Sequence, residues 1–274
     1  MDINFKTRVA TAAVLIALLL VIILWGPVWL FAMTLMTFTC AGLWEFFDLV
    51  NRKGIPVFRT FGLVMGLMIP VWVTFQFELT PGWELALIVG VLLSLFLLQF
   101  NRRESSHALE AIATTFMGVV YVAWFLSYTM KAFLFSDPSL PSGRLLLLFL
   151  LLVTKGGDTG AYLVGSAMGR HLLFPKVSPK KSIEGAVGGL LASVGISLLC
   201  RGWFPQVPIG HLACLGFLLG SLAQVGDLCE SLIKRDCGVK DSGTHLPGFG
   251  GFLDVLDSII FTAPVFYFYL RWLL

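Results

Sequence analysis

Charge is what this chain has least of: Asp, Glu, Lys and Arg make up 13% of its 274 residues, and hydrophobic residues 57%. With a mean hydropathy of +0.88, that scarcity excludes an ordinary water-soluble domain and places the protein in a bilayer. The long apolar runs lack the alternation of a lipid-facing β-strand, which excludes a transmembrane barrel. Cysteine is sparse too. Cys40, Cys200, Cys214, Cys229 and Cys237 are scattered with no CxxC, so neither a disulfide framework nor a zinc site is expected. No GxxxxGK[ST] is present, which removes a P-loop nucleotide site. The net charge of +3 is small and is spent on membrane topology, so no nucleic-acid partner is implied.

Apolar runs near twenty residues recur along the chain, each long enough to cross about 30 Å of hydrocarbon. Their continuity predicts an all-α polytopic integral membrane protein with about nine transmembrane helices, at residues 8–24, 29–47, 57–75, 84–100, 112–133, 145–164, 186–199, 209–225 and 252–272. The first run is preceded by Lys6 and Arg8, as a signal peptide would be. Leu24-Trp25-Gly26-Pro27 offers no small-residue cleavage site, so a retained helix is expected. Basic residues then orient the spans. Lys6, Arg8, Arg52, Lys53, Arg59, Arg102, Arg103, Arg170, Lys176, Lys180, Lys181, Lys234, Arg235 and Lys240, 14 of the 19 Lys and Arg, fall on one side of this topology. The positive-inside rule makes that side, and the N-terminus, cytoplasmic.

The chain divides near residue 140. Residues 1–140 read as a scaffold of helices with short links, suited to oligomer or lipid contacts. Glu45 and Asp48 stand at a helix end there and are expected to be solvated at the interface. Residues 141–274 differ in kind, with two polar loops on the cytoplasmic side. Lys155 and Asp158 lie three apart within a span, so they share a helix face. Ionisable groups at that depth are costly and point to function, the alternative being a structural ion pair. Gly156, Gly157 and Gly160 thin the same helix. Farther on, Ser178-Pro179 reads as a helix N-cap followed by proline in the first turn. Lys180 and Lys181 would then sit where the helix dipole disfavours cations, which makes sense if an anion is bound there. The plain alternative is positive-inside charge. Gly185 and Gly189 form a small-xxx-small pair.

The densest polar run is QVGDLCESLIKRDCGVKDSGTHLPGFGGFLDVLDS, from Gln224 to Ser258. It holds six acidic residues (Asp227, Glu230, Asp236, Asp241, Asp254, Asp257) and three basic ones (Lys234, Arg235, Lys240). A turn between spans needs only a few polar residues, so this length of charge calls for a chemical explanation. Asp227, Glu230, Ser231 and Lys234 share one face if the eighth span continues as a helix into the cytoplasm, and Gly238 breaks it. Asp254, Asp257 and Ser258 recur at helical spacing where the ninth span begins. An Asp on each of two helix ends flanking one loop can hold Mg²⁺, with phosphate oxygens completing the shell.

GDLCESLIKRDCGVKDSGTHLPGFGGFLDVLDS resembles the signature of the phosphatidate cytidylyltransferases, the CDP-diacylglycerol synthases. DTGAYLVG and SPKKSIEGAVGG look like that family's two other blocks, so the resemblance covers about residues 145–260. It departs at Phe249, where the family usually has His, at Val255, where it has Arg, and at Ser182-Ile183, where KTWEG is common. The resemblance implies transfer of CMP from CTP to phosphatidate, giving CDP-diacylglycerol and pyrophosphate in phospholipid biosynthesis. It implies Asp227 and Asp254 as metal ligands for Mg²⁺, with a second cation left open, and Asp158, Lys240 and Asp241 as further catalytic residues. Ser178, Lys180, Lys181, Lys234, Arg235, Gly250 and Gly251 become candidates for binding nucleotide and lipid phosphate. A phosphate monoester is mostly dianionic at neutral pH, so the acceptor needs little help from a base. The expected setting is a bacterial inner membrane with the site facing the cytoplasm, and a homodimer is left open. Two other readings remain: a CTP-dependent lipid kinase or nucleotidyltransferase acting on another lipid, and a non-catalytic or transport protein. A CDP-alcohol phosphotransferase is disfavoured by the lack of a DGxxAR element.

Overall fold

Hydrocarbon offers no partner to a backbone N–H or C=O, so each long apolar run closes its own hydrogen bonds as a helix. The computed structural model describes residues 14, 16–76, 82–102, 106–243, 245 and 250–274. Among them the helices are α1 (Ile16–Trp25), α2 (Val28–Arg52), α3 (Arg59–Gln76), α4 (Trp83–Phe100) and α5 (Ala108–Leu134). They continue with α6 (Gly143–Met168), α7 (Ile183–Leu199), α8 (Ile209–Asp236) and α9 (Phe252–Leu273). Seven of these, α2 and α4 to α9, are long and apolar enough to cross a membrane, α7 with the short 3₁₀ turn Cys200–Trp203 that extends it. The protein is an all-α polytopic membrane protein. Every expected span overlaps one of these helices. The start of the first expected span, with Lys6 and Arg8, lies outside the described residues, as do Arg103 and Phe249.

Two local expectations change. The eighth span does run on past Val225, to Asp236, and Gly238 follows with φ of 72°, so the polar face from Asp227 to Lys234 is helical. Ser178 is not a helix cap. Ser178–Ser182 forms a strand, β2, antiparallel to β1 (Leu172–Phe174), and the backbone stays extended until Ile183 N–H donates to His171 O at 2.8 Å. Ser182 is the cap instead, its Oγ accepting from Gly185 N–H at 3.1 Å. Cross-strand pairing outweighs the local serine–proline signal because it satisfies several backbone groups together. Glu184 in the first turn of α7 secures the hairpin, accepting from the N–H groups of Arg170 and His171 and contacting His171 Nδ1 at 2.6 Å.

Glycine decides how closely the second-half helices approach. A Cβ at Gly157 or Gly160 of α6 would overlap Ser193 or Ala192 of α7, and one at Gly189 would lie 2.9 Å from Gly157 O. Ser193 and Val194 of α7 crowd Gly216 and Gly220 of α8 in the same way. Nearer the polar end, a Cβ at Gly226 of α8 would lie 2.5 Å from Asp257 O of α9. Small residues substitute backbone contact for the hydrophobic drive that lipid removes. Aromatic side chains fill the rest, as where Phe149 of α6 lies between Phe204 and Phe266 at centroid separations of 4.9 and 5.8 Å. The two halves meet at both ends. Glu84 of α4 pairs with buried Lys131 of α5, whose ammonium lies 4.1 Å from the Tyr128 ring and 5.4 Å from that of Tyr267 on α9. At the other end Lys53 Nζ, just past α2, lies 2.5 Å from Asp236 Oδ2. That hydrogen bond holds the lysine's proton more tightly than usual.

The α8–α9 crossing predicts a contrast between two glycines. Gly226→Val should lower the thermal midpoint in detergent by the equivalent of about 1–3 kcal/mol, the usual cost of overpacking. Gly195→Ala, where an added Cβ meets nothing within 4 Å, should match or exceed wild type. Equal midpoints for Gly226→Val and wild type would show that the crossing tolerates a larger residue.

Candidate active site

Five chain segments bring polar groups to one end of the bundle: the second half of α6, the β1–β2 hairpin with the start of α7, the end of α8, the start of α9, and the end of α2. Three carboxylates converge there. Ligand oxygens of Asp227 and Glu230 on α8 and Asp257 on α9 all lie within 4.8 Å of one another. Asp227 and Glu230 are one helical turn apart, and Gly226 lets α9 come close enough for Asp257 to join them. Glu230 is 1% exposed, and its Oε1 has no hydrogen-bond partner. A buried carboxylate oxygen left open beside two further carboxylates fits a hard cation that takes oxygen ligands.

Lysines surround this group on three sides. Lys181 of β2 pairs with Asp227. Lys155 of α6 lies 3.2 Å from Asp158 Oδ2, 3.7 Å from Asp257 Oδ1 and 2.6 Å from Ser258 Oγ, which in turn donates to Asp158 at 3.0 Å. The expected Lys155–Asp158 pair is therefore present and is tied to α9. Lys234 is buried between Glu230 Oε2 at 2.8 Å and Asp254 Oδ1 at 2.5 Å.

Asp254, expected beside Asp227 as a metal ligand, is engaged elsewhere. Its Oδ1 meets Lys234, and its Oδ2 accepts from Gly251 N–H at 2.7 Å, Ser242 N–H at 3.2 Å and Ser242 Oγ at 2.8 Å. It caps α9 and braces the preceding loop, while Asp257, one turn on, faces Asp227. Helical spacing alone does not distinguish two aspartates three residues apart; the α8–α9 crossing does.

A cleft of about 490 Å³ opens beside the cluster. It is lined by Asp158, Ser178, Lys180, Lys181, Ser182 and Asp227, with an apolar wall that includes Tyr162, Leu173 and Leu228. Here the structure gathers the sixth-span aspartate, the lysine pair and the eighth-span aspartate. Lys180 and Lys181 lie on β2 rather than in a helical first turn, yet still flank the start of α7. Lys240 and Asp241 are not part of this cleft. They line a second one of about 400 Å³ with Trp44, Glu45, Asp48, Arg52 and His245. Arg235 is exposed and its guanidinium donates to Val177 O and Val239 O, joining the hairpin to the end of α8. Gly250 has φ of 93°, a conformation suited to glycine, and Gly251 is the N-cap of α9.

Glu45 overturns one expectation. Far from being solvated, it is 2% exposed, and it accepts from Leu253 N–H in the first turn of α9. Asp48 does remain at the interface, 2.8 Å from Arg52. No local signal marks Glu45, because its partners lie about two hundred residues downstream.

Lys234 carries the sharpest energetic consequence. Lys234→Met would leave Glu230 and Asp254 without their shared cation, and removing one partner of a buried pair costs about 3–5 kcal/mol. The expected outcome is a steep fall in the yield of monodisperse detergent-solubilised protein. A variant that purifies and melts like wild type would show that water reaches these carboxylates.

The sequence profile of the cytidylyltransferase family matches residues 6–273. A phosphatidate cytidylyltransferase of Synechocystis sp. is 32% identical over 97% of this chain and 97% of its own length. The phosphatidate cytidylyltransferase of Haemophilus influenzae is 32% identical over 96% of this chain and 98% of its own. The Escherichia coli K12 protein YnbB, whose name assigns it no activity, is 38% identical over a shorter alignment, 62% of this chain and 57% of that protein. With a profile match across almost its whole length, this chain belongs to the cytidylyltransferase family.

Proposed function

We propose that this protein is a phosphatidate cytidylyltransferase, which transfers CMP from CTP to phosphatidate and releases pyrophosphate. A phosphatidate oxygen attacks the α-phosphorus of CTP, the bond to the β-phosphate breaks, and pyrophosphate leaves with the electron pair. The observation that carries this reading is the meeting of three carboxylates with Lys155, Lys181 and Lys234 beside a cleft lined by both charged and apolar side chains. Two anions must approach each other, so the chemistry asks for positive charge and alignment more than for a base. Lys180 and Lys181 supply charge at the mouth of the cleft, and Tyr162, Leu173 and Leu228 give the lipid an apolar wall. Lys155, fixed by Asp158, Asp257 and Ser258, orients the α9 carboxylate towards the cluster.

Asp227, Glu230 and Asp257 are the proposed cation ligands, and Mg²⁺ is the proposed ion. When bound, Mg²⁺ would neutralise phosphate charge and polarise a phosphoryl oxygen. Asp254 acts instead through Lys234 and the loop. By the distribution of basic residues, the site faces the cytoplasm of a bacterial inner membrane, where CTP is supplied.

Two experiments test this. Purified protein given phosphatidate, Mg²⁺ and CTP labelled at the α-phosphate should yield lipid-extractable label, and CTP labelled at the γ-phosphate should not. The opposite pattern would identify a lipid kinase. Among variants, Asp227→Asn and Asp257→Asn should lower turnover by at least about 10³-fold and raise the Mg²⁺ concentration needed for what remains. Asp254→Asn should lose about 10²-fold in turnover through misplacement, with its Mg²⁺ requirement unchanged. A raised Mg²⁺ requirement in Asp254→Asn would return that residue to the cation.

A further inference from the structure

Glu45 lies on α2, in the half of the chain that supplies no residue to the lysine-lined cleft. Its carboxylate is nevertheless built into the far end of the sequence. Oε2 accepts from Leu253 N–H at 2.9 Å and stands 3.2 Å from Ser242 Oγ, while Oε1 stands 2.9 Å from His245 Nδ1. Ser242 and His245 lie in the loop between α8 and α9, and Leu253 lies in the first turn of α9. Two glycines make room for the acid: a Cβ on Gly243 would overlap Oε1, and one on Gly251 would overlap Oε2.

Packing α2 against α9 would need only an apolar side chain here. A carboxylate this buried is costly unless donors meet it, and the donors that meet it come from the loop and from the first turn of α9. The free energy of satisfying Glu45 is therefore available to order the junction of that loop with α9. What the junction carries is Asp254. Ser242 Oγ has one hydrogen for two carboxylates, and its shorter contact, 2.8 Å, is to Asp254 Oδ2. Asp254 then holds Lys234, and Lys234 holds Glu230 of the three-carboxylate group. Glu45 accepts from the N–H of Leu253, the chain neighbour of Asp254, so a connected path runs from α2 to the candidate cation site.

We propose that Glu45 is a positioning residue for cytidylyl transfer: it clamps His245 and Leu253 beside Ser242 so that Asp254 sets Lys234 and Glu230 in register with Asp227 and Asp257. The role rests on the reaction proposed above, and it predicts an effect on turnover rather than on substrate binding.

The test uses the full chain in detergent or proteoliposomes. Glu45→Ala should lower kcat by about 10²-fold, the scale of an ångström-sized misplacement, with KM for CTP and phosphatidate within about threefold of wild type. Glu45→Gln should recover most of the loss. Its carbonyl oxygen can still accept from Leu253 N–H, and its amide can meet Nδ1 of His245 in the other tautomer. Amide hydrogen exchange reads the clamp without substrate: Glu45→Ala should speed exchange at residues 242–243 and 250–253 by about tenfold or more and leave 178–190 unchanged. Unchanged kcat in Glu45→Ala, a loss confined to KM, no recovery in Glu45→Gln, or faster exchange in both segments would each overturn the proposal. If wild-type protein transfers no cytidylyl group to phosphatidate, the reaction assigned above is wrong, and the exchange result then decides the clamp by itself.

Discussion

Carboxylates gathered, buried or half-buried, at the end of an apolar bundle are the constraint on which the rest of this structure depends. Glu45, Asp158, Asp227, Glu230, Asp254 and Asp257 gather there, against Lys155, Lys181 and Lys234. Six formal negative charges face three positive ones. Charges in a medium of low dielectric must be paired or bonded, or the fold loses several kcal/mol for each. The lysines each touch one or two carboxylates, and backbone N–H groups serve Glu45 and Asp254. Among these groups Glu230 Oε1 is left without a partner. A site short of positive charge, with oxygen ligands already converged, is suited to a cation and to the phosphates such a cation accompanies.

That concentration of charge requires the helices to come very close, and glycine is how the chain achieves it. Gly157, Gly160, Gly185 and Gly189 let α6 and α7 meet nearly backbone to backbone. The contact holds the lysine strand, which leads directly into α7, beside Asp158. Gly226 serves α8 and α9 at the level of the carboxylates. In water, apolar burial would drive these contacts. In lipid, close packing and interhelical hydrogen bonds must do so, as where Ser193 Oγ donates to Val153 O at 3.0 Å. The polar site and the glycine seams are thus two aspects of one requirement, since charges cannot share counter-charges across a gap of two large side chains.

Much of this was legible in the sequence, for reasons that also mark where legibility ends. Spans follow from the length of apolar runs, and the face carrying Asp227, Glu230 and Lys234 follows from helical periodicity up to Gly238. The family resemblance rests on blocks local in sequence, and those blocks do line the cleft. The missed features depend on contacts between distant segments. Ser178 reads as a cap until the strand Leu172–Phe174 pairs with Ser178–Ser182 and the cap falls to Ser182. Asp254 and Asp257 are equivalent in spacing until α8 crosses α9 at Gly226. Glu45 looks like an interfacial acid because nothing near it in sequence reveals Leu253, Ser242 and His245.

The chemistry and the architecture then meet in a division of labour among acids. An acceptor that is already anionic needs no strong base, so the carboxylates are free for other work. Asp227, Glu230 and Asp257 offer oxygens to a common point. Asp158 fixes a lysine. Asp254 and Glu45 shape a loop through Ser242, Gly251 and Leu253. Electrostatic stabilisation depends on groups that do not reorganise as charge moves, so the acids that only hold other residues matter to rate as much as those nearest the phosphates. On the proposed role of Glu45, the first half of the chain then takes part in the mechanism: one carboxylate on α2 holds the start of α9, next to Asp254 and one turn from Asp257.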